Sequence, residues 1–187
     1  VASSLFAKGW GGRRHPAAER VVLALQAEPA EVDVAWLAAL MLRRDDDHAR
    51  WEWRYARLAL GVLVAERDAL NDRIAQEVAQ AVLGSFARDP NIAADRLDVA
   101  QGQYQARLAA YRAAMAKKDG REALDARLAR EILTFAGAIT GDHAGAIARA
   151  GGVLAGMMLE AAEALRTAYG TATLPDDVAP SKAGRPA

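Results

Sequence analysis

Three histidines and no cysteine make up this chain's stock of strong nitrogen and sulfur metal ligands. Without cysteine there are no disulfides, thiolate zinc sites, iron–sulfur clusters or thiol nucleophiles. Imidazole and carboxylate chemistry remain. His143 falls on an apolar stripe beside Ile139 and Ile147, where an imidazole ligates haem iron or a metal, or bonds a backbone carbonyl. His15 precedes Glu19 by four residues, so the two share a helix side. His48 and Glu52 have the same spacing, three residues beyond Asp45. A di-iron carboxylate bundle repeats Glu-x-x-His pairs, and none occurs here, so Asp45 reads as a helix cap. The chain shows no nucleophile elbow, phosphate loop or Ser–His–Asp signature. The expectation is a non-enzyme with no required cofactor; His143 and His15 are the positions that would hold haem.

The elements that must position these residues are helices. Of the 187 residues, 46 are alanine, and aromatic residues make up only 6%. Alanine loses no side-chain entropy in a helix. No stretch alternates apolar and polar residues long enough for a strand. The fold class is therefore all-α, a single-domain bundle of about six helices over residues 16–170. Residues 1–15, with Gly9, Gly11 and Gly12 around Trp10, read as a flexible arm. Residues 171–187, with three prolines, read as a disordered tail.

Punctuation places the helices. Pro16 suits a first turn, where its missing N–H costs nothing. Pro29 restarts the chain before a helix running to about Arg44. Asp45, Asp46 and Asp47 complement the positive end of the next helix dipole. That third helix either stops near Asp68 or continues to Arg88 as one rod, ahead of Pro90. Asn91 caps a fourth helix reaching about Lys118, and Asp119-Gly120 is a turn. A fifth helix covers about Arg121 to Ile139, Gly141-Asp142 forms a joint, and the last ends at Tyr169, where Gly170 is a natural stop.

Two helices carry one apolar seam each. Leu97, Tyr104, Leu108, Tyr111 and Met115 form a heptad-like stripe, and Ile147, Ala150, Leu154, Met158 and Leu165 form another. The third helix differs. Trp51, Tyr55, Leu58 and Val62 share one face, whereas Trp53, Leu60 and Val64 lie nearly opposite, with Arg50, Arg54 and Arg57 in a stripe between. A helix apolar on both sides is central in its domain or lies at a subunit interface. On the second reading, Trp51, Trp53, Tyr55, Leu60 and Val64 are candidate partner or oligomer contacts, and the commonest assembly is a homodimer. Gly137, Gly141 and Gly145, then Gly152 and Gly156, recur at steps of four, a spacing that lets helix backbones approach.

The segment from Ala146 to Met158 resembles the helix-turn-helix of bacterial repressors, with Ile147-Ala148 in the first helix, Gly152-Val153 at the turn and Met158 as an anchor. The resemblance implies DNA binding through residues 144–160, with Arg149, Gly152 and Val153 at the interface. The following residues, Leu154, Ala155, Met157 and Met158, offer no hydrogen bonds to base edges. The net charge is zero, with 24 basic and 24 acidic residues, which argues against nucleic acid as the main partner. His15 to Glu19 is similar to the His-x-x-Ala-Glu opening of haem oxygenases, without that family's aromatic framework.

Val1 to Trp10 lacks the apolar core of a signal peptide, and Asp142, His143 and Arg149 interrupt the best span candidate, Ile132 to Leu159. These features predict a cytoplasmic protein with no membrane span. The reading that follows is a helical interaction or assembly protein, scaffold- or chaperone-like, that presents an apolar helix face to itself or to another protein. A DNA-binding regulator and a haem- or cofactor-binding bundle are the alternatives.

Overall fold

The computed structural model describes residues 15–117, 122–138 and 143–171. It is all-α, with seven α-helices and no β-strand among the described residues. The helices are α1 (Pro16–Leu25), α2 (Glu31–Leu40), α3 (Asp46–Asp68), α4 (Asp72–Phe86), α5 (Leu97–Ala116), α6 (Leu124–Phe135) and α7 (His143–Tyr169). A single 3-10 turn, Ala94–Arg96, leads into α5. The expected arm and tail lie outside the described residues, apart from His15 and Thr171, and so do the expected turn at Asp119-Gly120 and joint at Gly141-Asp142.

Local chemistry accounts for several helix ends. Pro16 opens α1. The Asp45 side chain accepts a hydrogen bond from the His48 backbone N–H at 2.9 Å, capping α3. Asn71 does the same for α4, through the Ile74 N–H at 3.1 Å. That second cap separates α3 from α4: Ala69 is extended, with ψ 149°, so the long rod is broken. Gly170 follows α7 at φ 83°, a conformation that favours glycine, and its N–H reaches the Arg166 carbonyl at 2.7 Å.

Helix α3 is the centre of the molecule, and all six other helices pack against it or against its immediate neighbours. From Trp53 to Ala65 both of its apolar faces are covered. Trp53, Leu60 and Val64 are 0% exposed, and Tyr55 is buried as well. The sequence left two explanations for this double-sided helix, and intrachain packing is the one observed. Trp53, Leu60 and Val64 are core residues and offer no surface to a partner; Tyr55 keeps only 3% of its surface exposed, and Trp51 is half-buried. The Trp53 indole N–H donates to the Asp33 carbonyl at 3.1 Å, which ties α3 to the start of α2. Burying each such side chain is worth about 1.5–3 kcal/mol.

The intervening arginine stripe bonds a different element at each position. Arg50 meets Glu31 of α2 at 2.8 Å, Arg54 meets Asp89 after α4 at 2.7 Å, and Arg57 meets Glu160 of α7 at 2.5 Å. These pairs differ in weight. Arg50–Glu31 is open to solvent and contributes at most about 1 kcal/mol. Arg54 and Asp89 are both largely buried, so removing either strands the other's charge.

Close helix approach occurs at glycines other than those singled out by spacing. A Cβ on Gly61 would lie 2.3 Å from Leu25 Cδ1, and one on Gly151 would lie 3.1 Å from the Asp125 carbonyl oxygen. Gly61 therefore seats α1 on α3, and Gly151 seats α6 on α7. Gly152 and Gly156 face open space.

Leu60→Ala is expected to lower the unfolding free energy by about 2–5 kcal/mol, measured by urea denaturation. Unchanged stability together with a changed oligomeric state would place Leu60 at an interface instead.

Candidate functional site

Two helix stripes face each other across a cleft of about 340 Å³. From α3 come His48, Trp51, Glu52 and Tyr55, at i, i+3, i+4 and i+7. From the start of α5 and the turn before it come Arg96, Val99, Ala100, Gln103 and Arg107, again at three- and four-residue steps. The connection between α4 and α5 closes one edge with Asn91, Ile92 and Ala93. The volume lies at the lower end of the range typical of small-ligand sites.

A buried ion pair forms the polar base of the cleft. The Glu52 side chain is 2% exposed and that of Arg107 12%. Arg107 grips the carboxylate with two nitrogens, Nη2 at 2.5 Å from Oε1 and Nε at 3.1 Å from Oε2. This is the bidentate geometry that suits guanidinium and carboxylate. His48 Nε2 adds a contact to Oε1 at 3.2 Å. Arg107 Nη1 donates to the Gln103 carbonyl at 3.3 Å. The Arg107 guanidinium also lies over the rings of Tyr55, at 5.4 Å, and Phe135 of α6, at 4.3 Å. One residue thus joins α3, α5 and α6. Tyr111 lies one turn further along α5, and its buried hydroxyl makes no hydrogen bond.

The walls are aromatic and aliphatic. Trp51 and Tyr55 pack at 5.4 Å, Tyr55 stacks on Phe86 of α4 at 6.3 Å, and Phe86 meets Tyr104 of α5 at 5.2 Å. This aromatic chain braces the α3 wall against two other helices. Behind Trp51, the Arg54 guanidinium lies 4.5 Å from the ring centre. The Tyr55 hydroxyl donates to Gln103 Oε1 at 2.9 Å. Burial pushes the Tyr55 hydroxyl up to about 12, with the Glu52 charge reinforcing the shift and Arg107 opposing it.

The positions singled out from sequence do not gather here. His143 is exposed at the first residue of α7 and is not packed on the apolar stripe. His15 is half-buried, with Nδ1 3.3 Å from Glu77 Oε1. Neither histidine lines the cleft. No cluster of three or more potential metal ligands occurs among the described residues. The helix-turn-helix expectation is corrected: α7 runs unbroken from His143 to Tyr169, so no turn exists at Gly152-Val153. Gly152 is exposed within that helix and Val153 is half-buried. Arg149 is occupied in docking α7 on α2, reaching Asp33 Oδ1 at 3.3 Å, with its guanidinium 4.6 Å from the centre of the Trp36 ring. Of the expected contacts, Trp51 and Tyr55 line the cleft.

Sequence spacing had placed His48 and Glu52 on one helix side. The partners contributed by α5 were not visible, because Arg107 is one arginine among 20 and its i, i+4 relation to Gln103 is unremarkable on any helix.

No protein family, curated protein or solved structure matches this chain. The fold and site define its class: an all-α domain with an amphipathic cleft between helices. No helix of the described residues is long and apolar enough to cross a membrane.

Arg107→Ala leaves the Glu52 carboxylate buried without its counter-ion and is expected to cost about 3–5 kcal/mol, read by urea denaturation. Adding Glu52→Gln to that variant is expected to restore part of the loss; no restoration would show that Arg107 acts through packing alone. All four tyrosines are held above their ordinary value of 10 by burial. The fold favours the neutral phenol, so this contribution to stability is complete below pH 10 and is lost as pH rises through about 12, where Tyr55 and Tyr169 ionise. Phenolate absorbance is expected to stay flat through pH 10 and to rise only with loss of helical circular dichroism.

Proposed function

We propose that this protein is a non-catalytic binding protein whose α3–α5 cleft takes a small ligand with a flat, apolar body. One observation carries the reading: a concave, largely apolar surface stands over a polar base that is already bonded. A pre-formed, mostly apolar cleft with a few placed polar groups is the usual form of a small-molecule site. The aromatic walls are fixed by Phe86 and Tyr104 behind them, so little side-chain entropy is lost on binding.

The scaffold-like reading asks for an apolar helix face offered to a second copy or to another protein. An association face on α3 has lost its main residues to the core. The large apolar side chains that remain exposed include Leu23, Val32, Leu42 and Leu159, which stand on separate elements. Scattered residues of that kind are ordinary surface. His48 lies beside Glu52, but that carboxylate is already held by Arg107, and no serine, threonine, cysteine or lysine lines the cleft.

The test is tryptophan emission during titration with naphthalene-bearing probes. Saturable one-to-one binding is expected, and Val99→Trp, at a half-exposed lining position, is expected to weaken it by about tenfold, or about 1.4 kcal/mol. Binding unaffected by that variant would place the ligand elsewhere, and no saturable binding by any probe would remove the proposal.

A further inference from the structure

We infer that the ligand of the cleft is an anion, a planar or aromatic molecule carrying a carboxylate or sulfonate, with its charge beside Arg96 and Gln103 and its body on Trp51 and Tyr55. This inference rests on the cleft being a ligand site. It concerns what the lining groups still have to offer once their internal bonds are counted.

The one carboxylate in the lining is already satisfied. Glu52 takes two bonds from Arg107 and a contact from His48, and it is 2% exposed. It therefore presents no attractive charge to a cationic ligand. Arg107 is consumed by the same pair, and its guanidinium lies under the Tyr55 ring. Counting charged lining groups, Glu52 and Arg107 cancel, and Arg96 remains. Arg96 stands 72% exposed, and its nearest carboxylate, that of Asp95, is 3.8 Å from Nε, beyond hydrogen-bond distance. That pair is long and open to solvent, so it holds the guanidinium weakly and leaves its N–H groups available to an anion.

Gln103 adds donors of matching sense. Its side-chain oxygen accepts the Tyr55 hydroxyl, which orients the amide and leaves the nitrogen with two N–H groups. Arg96 and Gln103 are seven residues apart, two turns along one face at the start of α5. Each ring of the wall already holds a guanidinium, Arg54 at 4.5 Å from the Trp51 centre and Arg107 at 5.4 Å from the Tyr55 centre, so a cationic ligand would meet like charge there. A cationic ligand would meet Arg96 with no acid free to oppose it, and a neutral one would leave the exposed cation unused.

The experiment compares three probes of one shape: naphthoate, naphthalenemethanol and naphthylmethylammonium, each titrated against the full chain by calorimetry at low salt. Naphthoate is expected to bind about fivefold tighter than the alcohol, as one partly exposed charge pair gives, with the ammonium weakest. Added salt is expected to close the gap. Arg96→Glu is expected to bring the ratio of naphthoate to alcohol affinity, both measured on the variant, to one or below. Because Arg96 is exposed, this variant tests charge without disturbing the core. Equal binding of all three probes, or a carboxylate preference that survives Arg96→Glu, overturns the anion inference and leaves the cleft reading standing. Failure of all three to bind removes the cleft reading itself.

Discussion

A helix that is apolar on opposite sides has to be enclosed before it can be stable in water, and that constraint organises this protein. α3 carries Trp53, Leu60 and Val64 on one side and Tyr55, Leu58 and Val62 on the other, and all six are buried. No single neighbour can cover both sides. The solution is a ring of helices, with α2, α4, α5 and α7 packed directly around α3. α1 closes against α3 through Gly61, where any side chain would collide with Leu25. Hydrophobic burial supplies the driving force without specifying which helix goes where.

Polar groups on α3 supply that specificity. Arg50, Arg54 and Arg57 point toward acids on α2, the α4–α5 connection and α7, while Glu52 points toward Arg107 of α5. Each pairing fixes the position of one neighbour around the central helix. Buried pairs such as Glu52–Arg107 add little net stability over apolar residues of the same size, because desolvation offsets the Coulomb attraction. Their cost falls on wrong arrangements, which would leave a charge buried alone. The Glu52–Arg107 pair joins α5 to α3 at this register.

The cleft is a consequence of that register. Once Arg107 is bonded to Glu52, the turns of α5 that precede it, back to Arg96, face His48, Trp51 and Tyr55. Ala100 is small, and the α4–α5 connection brings Ile92 and Ala93 to the edge without filling the gap. The floor is polar but internally satisfied, the walls are aromatic, and the other charged lining residue is Arg96, in a long surface pair with Asp95. The same ion pair holds α3 and α5 together and leaves the one carboxylate of the lining already bonded.

Helical content, the cap at Asp45, the stop at Gly170 and the apolar seams of α5 and α7 were legible in the sequence, because each depends on residues within one or two turns of each other; the cap expected at Asn91 was misplaced, since α5 begins only at Leu97, after a 3-10 turn. The double-sided character of α3 was equally legible, as was the shared side of His48 and Glu52. What covers α3 was not, since intrachain and intermolecular partners satisfy the same hydrophobic requirement. The turn inferred at Gly152-Val153 failed for a related reason: a glycine inside an alanine-rich helix weakens it locally, and the contacts of α7 with α3 and α6 hold it straight. Arg107 and Gln103 entered the site only through tertiary packing, which brought them to a helix 55 and 48 residues away in the chain. Local order is set by neighbours in sequence; the site is set by neighbours in space.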